Sequence, residues 1–182
     1  MNEELKVLLT IADNLDTAGI PYMISGSMAS NYYTIPRMTR DIDVVVQLKQ
    51  ENSGRFIGAF GSQFWVDAEV VDREILKQGM FNLIHKEYVI KADFILSKST
   101  DFQASAFKRR KKIVIENCPV WMISAEDLIL AKLLWAKESL SELQIKDVKH
   151  LLSTVDQLDH LYLEQWVLAL GLGQVYEKVK HE

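Results

Sequence analysis

Two aspartates one residue apart, Asp41 and Asp43, open the run Asp41-Ile42-Asp43-Val44-Val45-Val46. Strand side chains alternate between faces, so both carboxylates share one face while Ile42, Val44 and Val46 take the other. Carboxylates about 7 Å apart at the mouth of a strand repel each other unless a cation sits between them. Magnesium suits such a place, because it takes hard carboxylate oxygens alongside substrate phosphates. A third acid, Asp93, interrupts the run Ala92-Asp93-Phe94-Ile95-Leu96, although aspartate is poorly suited to a strand interior. If its strand neighbours the first, a cluster of three carboxylates results. Upstream, Gly26-Ser27 lies between the apolar segment Tyr22-Met23-Ile24 and a helical pattern. Glycine lets a phosphate approach the backbone, and a serine hydroxyl with the free N–H groups of a helix start can bind an anion. Taken singly, each feature has a plainer reading: a turn, a solvated strand end, an exposed edge-strand position.

The elements that must hold these residues follow from periodicity. Leu5, Leu8, Leu9, Ala12 and Leu15 recur at helical spacing, and Gly19 and Pro21 end that helix, predicted over 3–18. A second helix starts near Ser27 and is bounded by Pro36. Residues 48–60 and 67–77 read as two amphipathic helices, and 81–84 and 88–96 as two paired strands. Two more strands, 113–115 and 120–122, flank a turn expected at Asn117-Cys118-Pro119. From Ser124 onward the pattern is helical, with predicted helices starting at 124, over 141–153, over 159–170, and a last short one after Gly173. The chain is therefore mixed α/β to about residue 123 and helical beyond, with no linker between the halves.

The 182 residues suffice for one substantial core, and 48% hydrophobic with 25% charged residues exclude a disordered or low-complexity chain. A single cysteine excludes a disulfide framework and a cysteine-rich zinc site, and Cys118 reads as a buried thiol in a reducing compartment. Acids at the N-terminus stand where a secretory signal carries cations, and no apolar run reaches the ~20 residues that span a bilayer, so the expected location is the cytoplasm, with no membrane partner. A net charge of −4 argues against a general nucleic-acid coat, although the run Phe107-Lys108-Arg109-Arg110-Lys111-Lys112 is a local basic patch. His85, His150, His160 and His181 have no metal-ligand spacing, and Trp65, Trp121, Trp135 and Trp166 read as core.

The order and spacing of the glycine-serine pair and the three acids resemble the nucleotidyltransferase (polymerase-beta-like) superfamily. The motif reads Ile24-Ser25-Gly26-Ser27, then Thr39-Arg40-Asp41-Ile42-Asp43-Val44, then Ala92-Asp93-Phe94, and the likeness covers residues 20–97. Ser25 stands where that pattern more often has an apolar residue. The resemblance implies an α+β nucleotidyltransferase fold: a mixed sheet flanked by helices in 1–123, followed by a C-terminal helical subdomain, 124–182, packed on it. It implies transfer of a nucleoside monophosphate from a nucleoside triphosphate to an acceptor hydroxyl. Asp41, Asp43 and Asp93 would be catalytic and would hold two magnesium ions, with manganese as an alternative. Asp93 would ligate the second ion or act as general base. Gly26 and Ser27 would grip the triphosphate, and Arg40 would pair with Asp41 or with a substrate phosphate, beside a second flanking arginine, Arg37.

A narrower likeness lies in the helical half. Ala125-Glu126-Asp127-Leu128-Ile129-Leu130-Ala131-Lys132-Leu133-Leu134-Trp135 followed by Ile145-Lys146-Asp147-Val148 is similar to the bacterial AbiEii-like and related minimal nucleotidyltransferases. There a helical lysine and a later helical aspartate help form the nucleotide site, which marks Lys132 and Asp147. A triphosphate needs cations beyond its metals, which suits Lys132, while Asp147 would orient it or contact the sugar. That likeness implies a toxin-like enzyme acting on tRNA or protein, with an antitoxin partner. The alternatives are a small-molecule, antibiotic-type nucleotidyltransferase and a non-catalytic nucleotide or RNA binder.

Overall fold

The computed structural model of the chain describes residues 2–39, 41–139 and 141–181, the last without its side chain. Among the described residues, seven strands form one mixed sheet. They are β1 (Tyr22–Ile24), β2 (Asp41–Val46), β3 (Phe64–Trp65), β4 (Met80–His85), β5 (Lys91–Leu96), β6 (Lys111–Ile115) and β7 (Cys118–Met122). Their order across the sheet is β3-β4-β5-β2-β1-β7-β6. The helices are α1 (Glu3–Thr17), α2 (Gly26–Tyr33), α3 (Ser53–Phe60), α4 (Ala68–Lys77), α5 (Asp101–Arg109), α6 (Ala125–Ser139), α7 (Glu142–Thr154), α8 (His160–Ala169) and α9 (Gly173–His181).

Alternation in β2 divides the molecule into two layers of different chemistry. Ile42, Val44 and Val46 are fully buried on one face, where Phe94 of β5 and Phe81 of β4 join them. Helix α3 packs Phe56 and Phe60 against Phe94, with ring centroids 5.2 and 5.4 Å away, and this aromatic cluster is the centre of the core. Edge-to-face and stacked rings at such distances add to the area they bury. The opposite face carries Asp41 and Asp43, and α2 lies over β2 on this part of the sheet, with α6 and α7 packed against α2. No helix among the described residues is long and apolar enough to cross a membrane.

The helical half is fastened to the sheet half by a buried polar network. Arg109, at the end of α5, lies 3.8 Å over the Tyr162 ring of α8 and pairs with Glu126 and Asp127 of α6, both at 3.4 Å. The Tyr162 hydroxyl donates to Asp127 Oδ1 at 2.6 Å, and Ser124 Oγ donates to Asp127 Oδ2 at 2.6 Å. Burial raises the Asp127 pKa, and these donors oppose it. An acid without accessible surface is held by hydrogen bonds that compensate for lost water.

Several expectations are corrected. Cys118 is exposed, because the β6–β7 hairpin turns at Glu116-Asn117, both with positive φ, rather than at 117–119. Two left-handed residues match the strand twist of a two-residue hairpin. Pro119 pairs with Val114 and lies outside the single β1–β7 partnership, where its missing N–H is harmless. Trp65 and Trp135 are 54% and 58% exposed, not core. The predicted helix over 48–60 is a 3-10 turn, Gln50–Asn52, followed by α3. Strand β3 and helix α5 had no reading in the sequence. The basic run straddles the end of α5 and the start of β6.

Tyr162→Phe keeps the ring over Arg109 but removes the hydrogen bond to a buried carboxylate. We expect a loss of about 1–3 kcal/mol, read as a lower urea midpoint with an unchanged slope.

Candidate active site

The site is assembled where β1 ends. The Ser25 amide donates to the Asp43 carbonyl at 2.9 Å, extending the β1–β2 ladder by one bond. Ser25 is extended and Gly26 has φ +57°, which swings the chain into α2. A Cβ on Gly26 would stand 1.8 Å from Asp43 Oδ2 and 2.5 Å from its Cγ. Glycine is thus required twice, by the left-handed backbone and by the carboxylate lying against it. The close approach sets the Ser27 amide near the Asp43 carboxylate, where it favours the ionised form.

Asp43 and Asp93 are register partners on the parallel strands β2 and β5, and Asp41 is the partner of Lys91. The two strands therefore bring the three acids onto one face. Burial first, and then the Asp93 charge, raise the Asp43 pKa above the ordinary carboxylate value, against the Ser27 amide and the Lys132 charge. The Lys91 ammonium lies 2.8 Å from Asp93 Oδ2 and 3.9 Å from Asp41 Oδ1. Its hydrogen bond to Asp93 raises its own pKa. With that ammonium among them, no three His, Cys, Asp or Glu side chains of the described residues converge as a ready-made metal site. The donor chemistry nevertheless fits a hard divalent cation: paired carboxylates, one of them held above its ordinary pKa by burial and then by the other's charge.

Cations come from the other side of the cavity. Lys132 of α6 donates to Asp147 Oδ2 of α7 at 2.8 Å and to Gln144 Oε1 at 3.1 Å. Arg37 grips the same carboxylate through Nε at 3.3 Å and Nη2 at 3.1 Å, and Nη2 also donates to Ser27 Oγ at 3.0 Å. Burial raises the Asp147 pKa, but hydrogen bonds from Arg37 and Lys132 outweigh it and hold the carboxyl below its usual value. A cavity of about 360 Å³ unites these groups: Gly26, Ser27, Asp43, Asp93, Lys132 and Gln144 line it, with Met80, Ile95, Leu128 and Trp135 as its apolar part. A larger hollow of about 660 Å³ lies at the far ends of β2 and β5, around Lys49, Lys98 and Thr100, and contains none of these groups.

Gly26, Ser27, Asp43, Asp93 and Lys132 thus line one cavity, Asp147 holds Lys132 from behind, Asp41 lies on the same strand face outside the lining, and Arg40 lies outside the described residues. Arg37 was legible only as a basic neighbour of the acids. Gln144 and Met80 had no signal. Trp135 did: it follows Lys132 by three residues, so both share a helix face.

No protein-family model matches the chain, and no curated protein matches it. Solved structures do match. The antibiotic-resistance factor ANT(2'')-Ia is 16% identical, with 99% of this chain and 97% of that chain covered at a TM-score of 0.63. The chain has the nucleotidyltransferase fold. The lincosamide antibiotic adenylyltransferase LnuA, in its lincomycin-bound structure, shares this fold at 18% identity, over 85% of this chain and 99% of that one, with a TM-score of 0.57. An antigenic nucleotidyltransferase-like protein from Paracoccidioides brasiliensis is 17% identical, with 97% and 92% covered and a TM-score of 0.54.

Two outcomes follow from this nucleotidyltransferase fold and its acids. Gly26→Ala forces Asp43 out of place, so the variant should lose several degrees of melting temperature. Asp43→Asn should instead melt a few degrees above wild type without metal at pH 7, because it removes a buried like charge. A raised native pKa costs stability as pH climbs through it, so that advantage should shrink as pH falls toward the ordinary aspartate value of about 3.9. Calorimetry across pH checks both.

Proposed function

We propose that this chain is a nucleotidyltransferase, moving a nucleoside monophosphate from a nucleoside triphosphate to an acceptor hydroxyl. The observation that carries this is the Asp43–Asp93 register pair facing the Gly26–Ser27 turn and Lys132 across one cavity. A phosphate-binding turn alone or an acid pair alone has plainer explanations; their union on this fold supports phosphoryl chemistry.

In this reading the Ser27 hydroxyl, the first N–H groups of α2 and Lys132 bind the triphosphate. Asp147 holds Lys132 and Arg37 in position, and Arg40 adds a further cation. Asp41 and Asp43, joined by Asp93, would hold two magnesium ions, or manganese in their place, which would supply charge neutralisation and a lowered pKa at the acceptor hydroxyl. The acceptor oxygen bonds to the α-phosphorus, the bond from that phosphorus to the bridging oxygen breaks, and pyrophosphate leaves with the electron pair. The proton of the hydroxyl passes to the Asp93 carboxylate. The acids and Arg37 come from residues 1–123 and Lys132 and Asp147 from 124–182, so in this reading the cavity between them is the reaction site. Lys91 must release Asp93 and Asp41 as cation and substrate enter.

The acceptor is best read as a small molecule. ANT(2'')-Ia and LnuA, both matched in fold, are named for antibiotics. The rival acceptor, tRNA or protein for a toxin-like enzyme of the AbiEii-like group restrained by an antitoxin, leans on the basic run. Arg109 there is engaged with Glu126, Asp127 and Tyr162, and Arg110 lies 4.4 Å over Phe107 and 4.6 Å over Trp121. Two of its cations are thus turned to the protein's own interior, which weakens it as a phosphate-backbone site.

Labelled ATP with magnesium, offered a panel of small hydroxylated molecules beside tRNA, should release pyrophosphate with wild type and at least one of the small molecules. Asp43→Ala should cut that release by about 10²–10³-fold or more with an unchanged circular dichroism spectrum. Wild-type turnover by the variant would defeat the assignment.

A further inference from the structure

The outer half of the catalytic sheet face has a composition of its own. Register partners share a face, so Asp93 shares its face with Asn82 and Ile84 of β4, and Ile84 in turn with Trp65 of β3. Met80, the partner of Ile95, belongs to the same face and lines the cavity. Trp65 is 54% exposed and Met80 51%, and Asn82 is exposed as well. Beyond β5 this face therefore presents two apolar side chains, one indole and one amide, and no charge.

We infer that this face is the acceptor platform, and that the acceptor is a neutral polyhydroxylated ring compound, a glycoside with an apolar face. The inference rests on the nucleotidyl-transfer reading and names its substrate class. The phosphate turn follows β1, Asp43 is on β2, Asp93 on β5, Asn82 on β4 and Trp65 on β3, which is the order of the strands across the sheet. In-line displacement puts the leaving pyrophosphate and the attacking oxygen on opposite sides of the α-phosphorus. With pyrophosphate at the turn, the attacking hydroxyl lies at Asp93 and the body of the acceptor extends over β4 and β3. Adjacent strands are about 4.8 Å apart, so Trp65 lies two strands, roughly 10 Å, from Asp93 across the sheet, the length of one or two sugar rings.

Charge selects among acceptors. A polycation needs acids beyond those that hold metal, and this half of the face has none. A nucleic-acid strand needs a row of cations along its backbone, and Lys91 at the edge of β5 is a single one, with none on β4 or β3 of this face. A neutral ring needs what is present: an indole for its C–H face, Ile84 and Met80 beside it, and an amide whose donors and acceptor match a second hydroxyl next to the one that reacts.

The test measures pyrophosphate release by the full chain with magnesium and ATP. The probes are phenyl β-D-glucopyranoside, phenyl β-D-galactopyranoside, tobramycin, and a single-stranded RNA dodecamer with a free 3′-hydroxyl. At least one glycoside should raise the rate fivefold or more, with tobramycin and RNA below twofold. Trp65→Ala should raise KM for that glycoside at least fivefold, and Trp65→Phe should restore it to within twofold of wild type. Stimulation by tobramycin or RNA alone, no stimulation by either glycoside, or an unchanged KM in Trp65→Ala overturns the acceptor class. ATP binding with magnesium, followed by calorimetry, separates the two readings: if binding persists, nucleotidyl transfer stands without this acceptor, and if ATP does not bind, both fall.

Discussion

Two carboxylates placed opposite each other on adjacent parallel strands govern the rest of this molecule. Asp43 and Asp93 are brought together by the same ladder that aligns Val44 with Phe94 in the core. The register cannot slip by one residue without driving the acids into the aromatic cluster and the core side chains into solvent. The repulsion between the acids is therefore sustained by packing on the other face of the same strands. Fold and site are two sides of one alternation, and the cost of the like-charge pair is carried by Phe56, Phe60 and Phe94.

That arrangement explains how much was legible. The alternation in 41–46 fixes which residues face the core and which face the cavity, and Asp93 betrays itself because an acid in an apolar strand needs a reason. The glycine before Ser27 was readable as a close-approach residue, and the structure supplies what approaches, the Asp43 carboxylate itself. What escaped the sequence depended on contacts between distant segments. Arg37 and Asp147 are 110 positions apart, and no local pattern joins them. Strand β3 is only two residues long, too short for a period, yet it brings Trp65 to the face that carries Asp43 and Asp93. Trp135 was misread because tryptophan in a helical apolar stripe usually means core, whereas here the stripe turns over the rim of a cavity.

The two polar networks also divide the labour between stability and chemistry. Arg109, Glu126, Asp127 and Tyr162 lock α5, α6 and α8 together by charge-assisted bonds around buried acids. They do not line the cavity. By fixing the base of α6 they fix the azimuth of Lys132, about one and a half turns along the same helix. A structural network thus sets the direction of a side chain that points at the acids, and a small rotation of α6 would withdraw it.

Asp147 shows why the cationic wall is steady enough to be useful. Lys132 and Arg37 alone would repel each other and swing toward solvent. The carboxylate between them accepts from both, and Arg37 continues to Ser27, so the positive groups and the phosphate turn form one connected unit. The triad of Arg37, Asp147 and Lys132 carries one net positive charge, low enough to remain assembled when no anion is bound. An anion arriving at the Gly26–Ser27 turn would meet donors already oriented, so little reorganisation would be needed at the moment of binding. The acids opposite are preorganised in the same sense, by a ladder rather than by ion pairs. The cavity therefore lies between a wall set by backbone register and a wall set by side-chain charge.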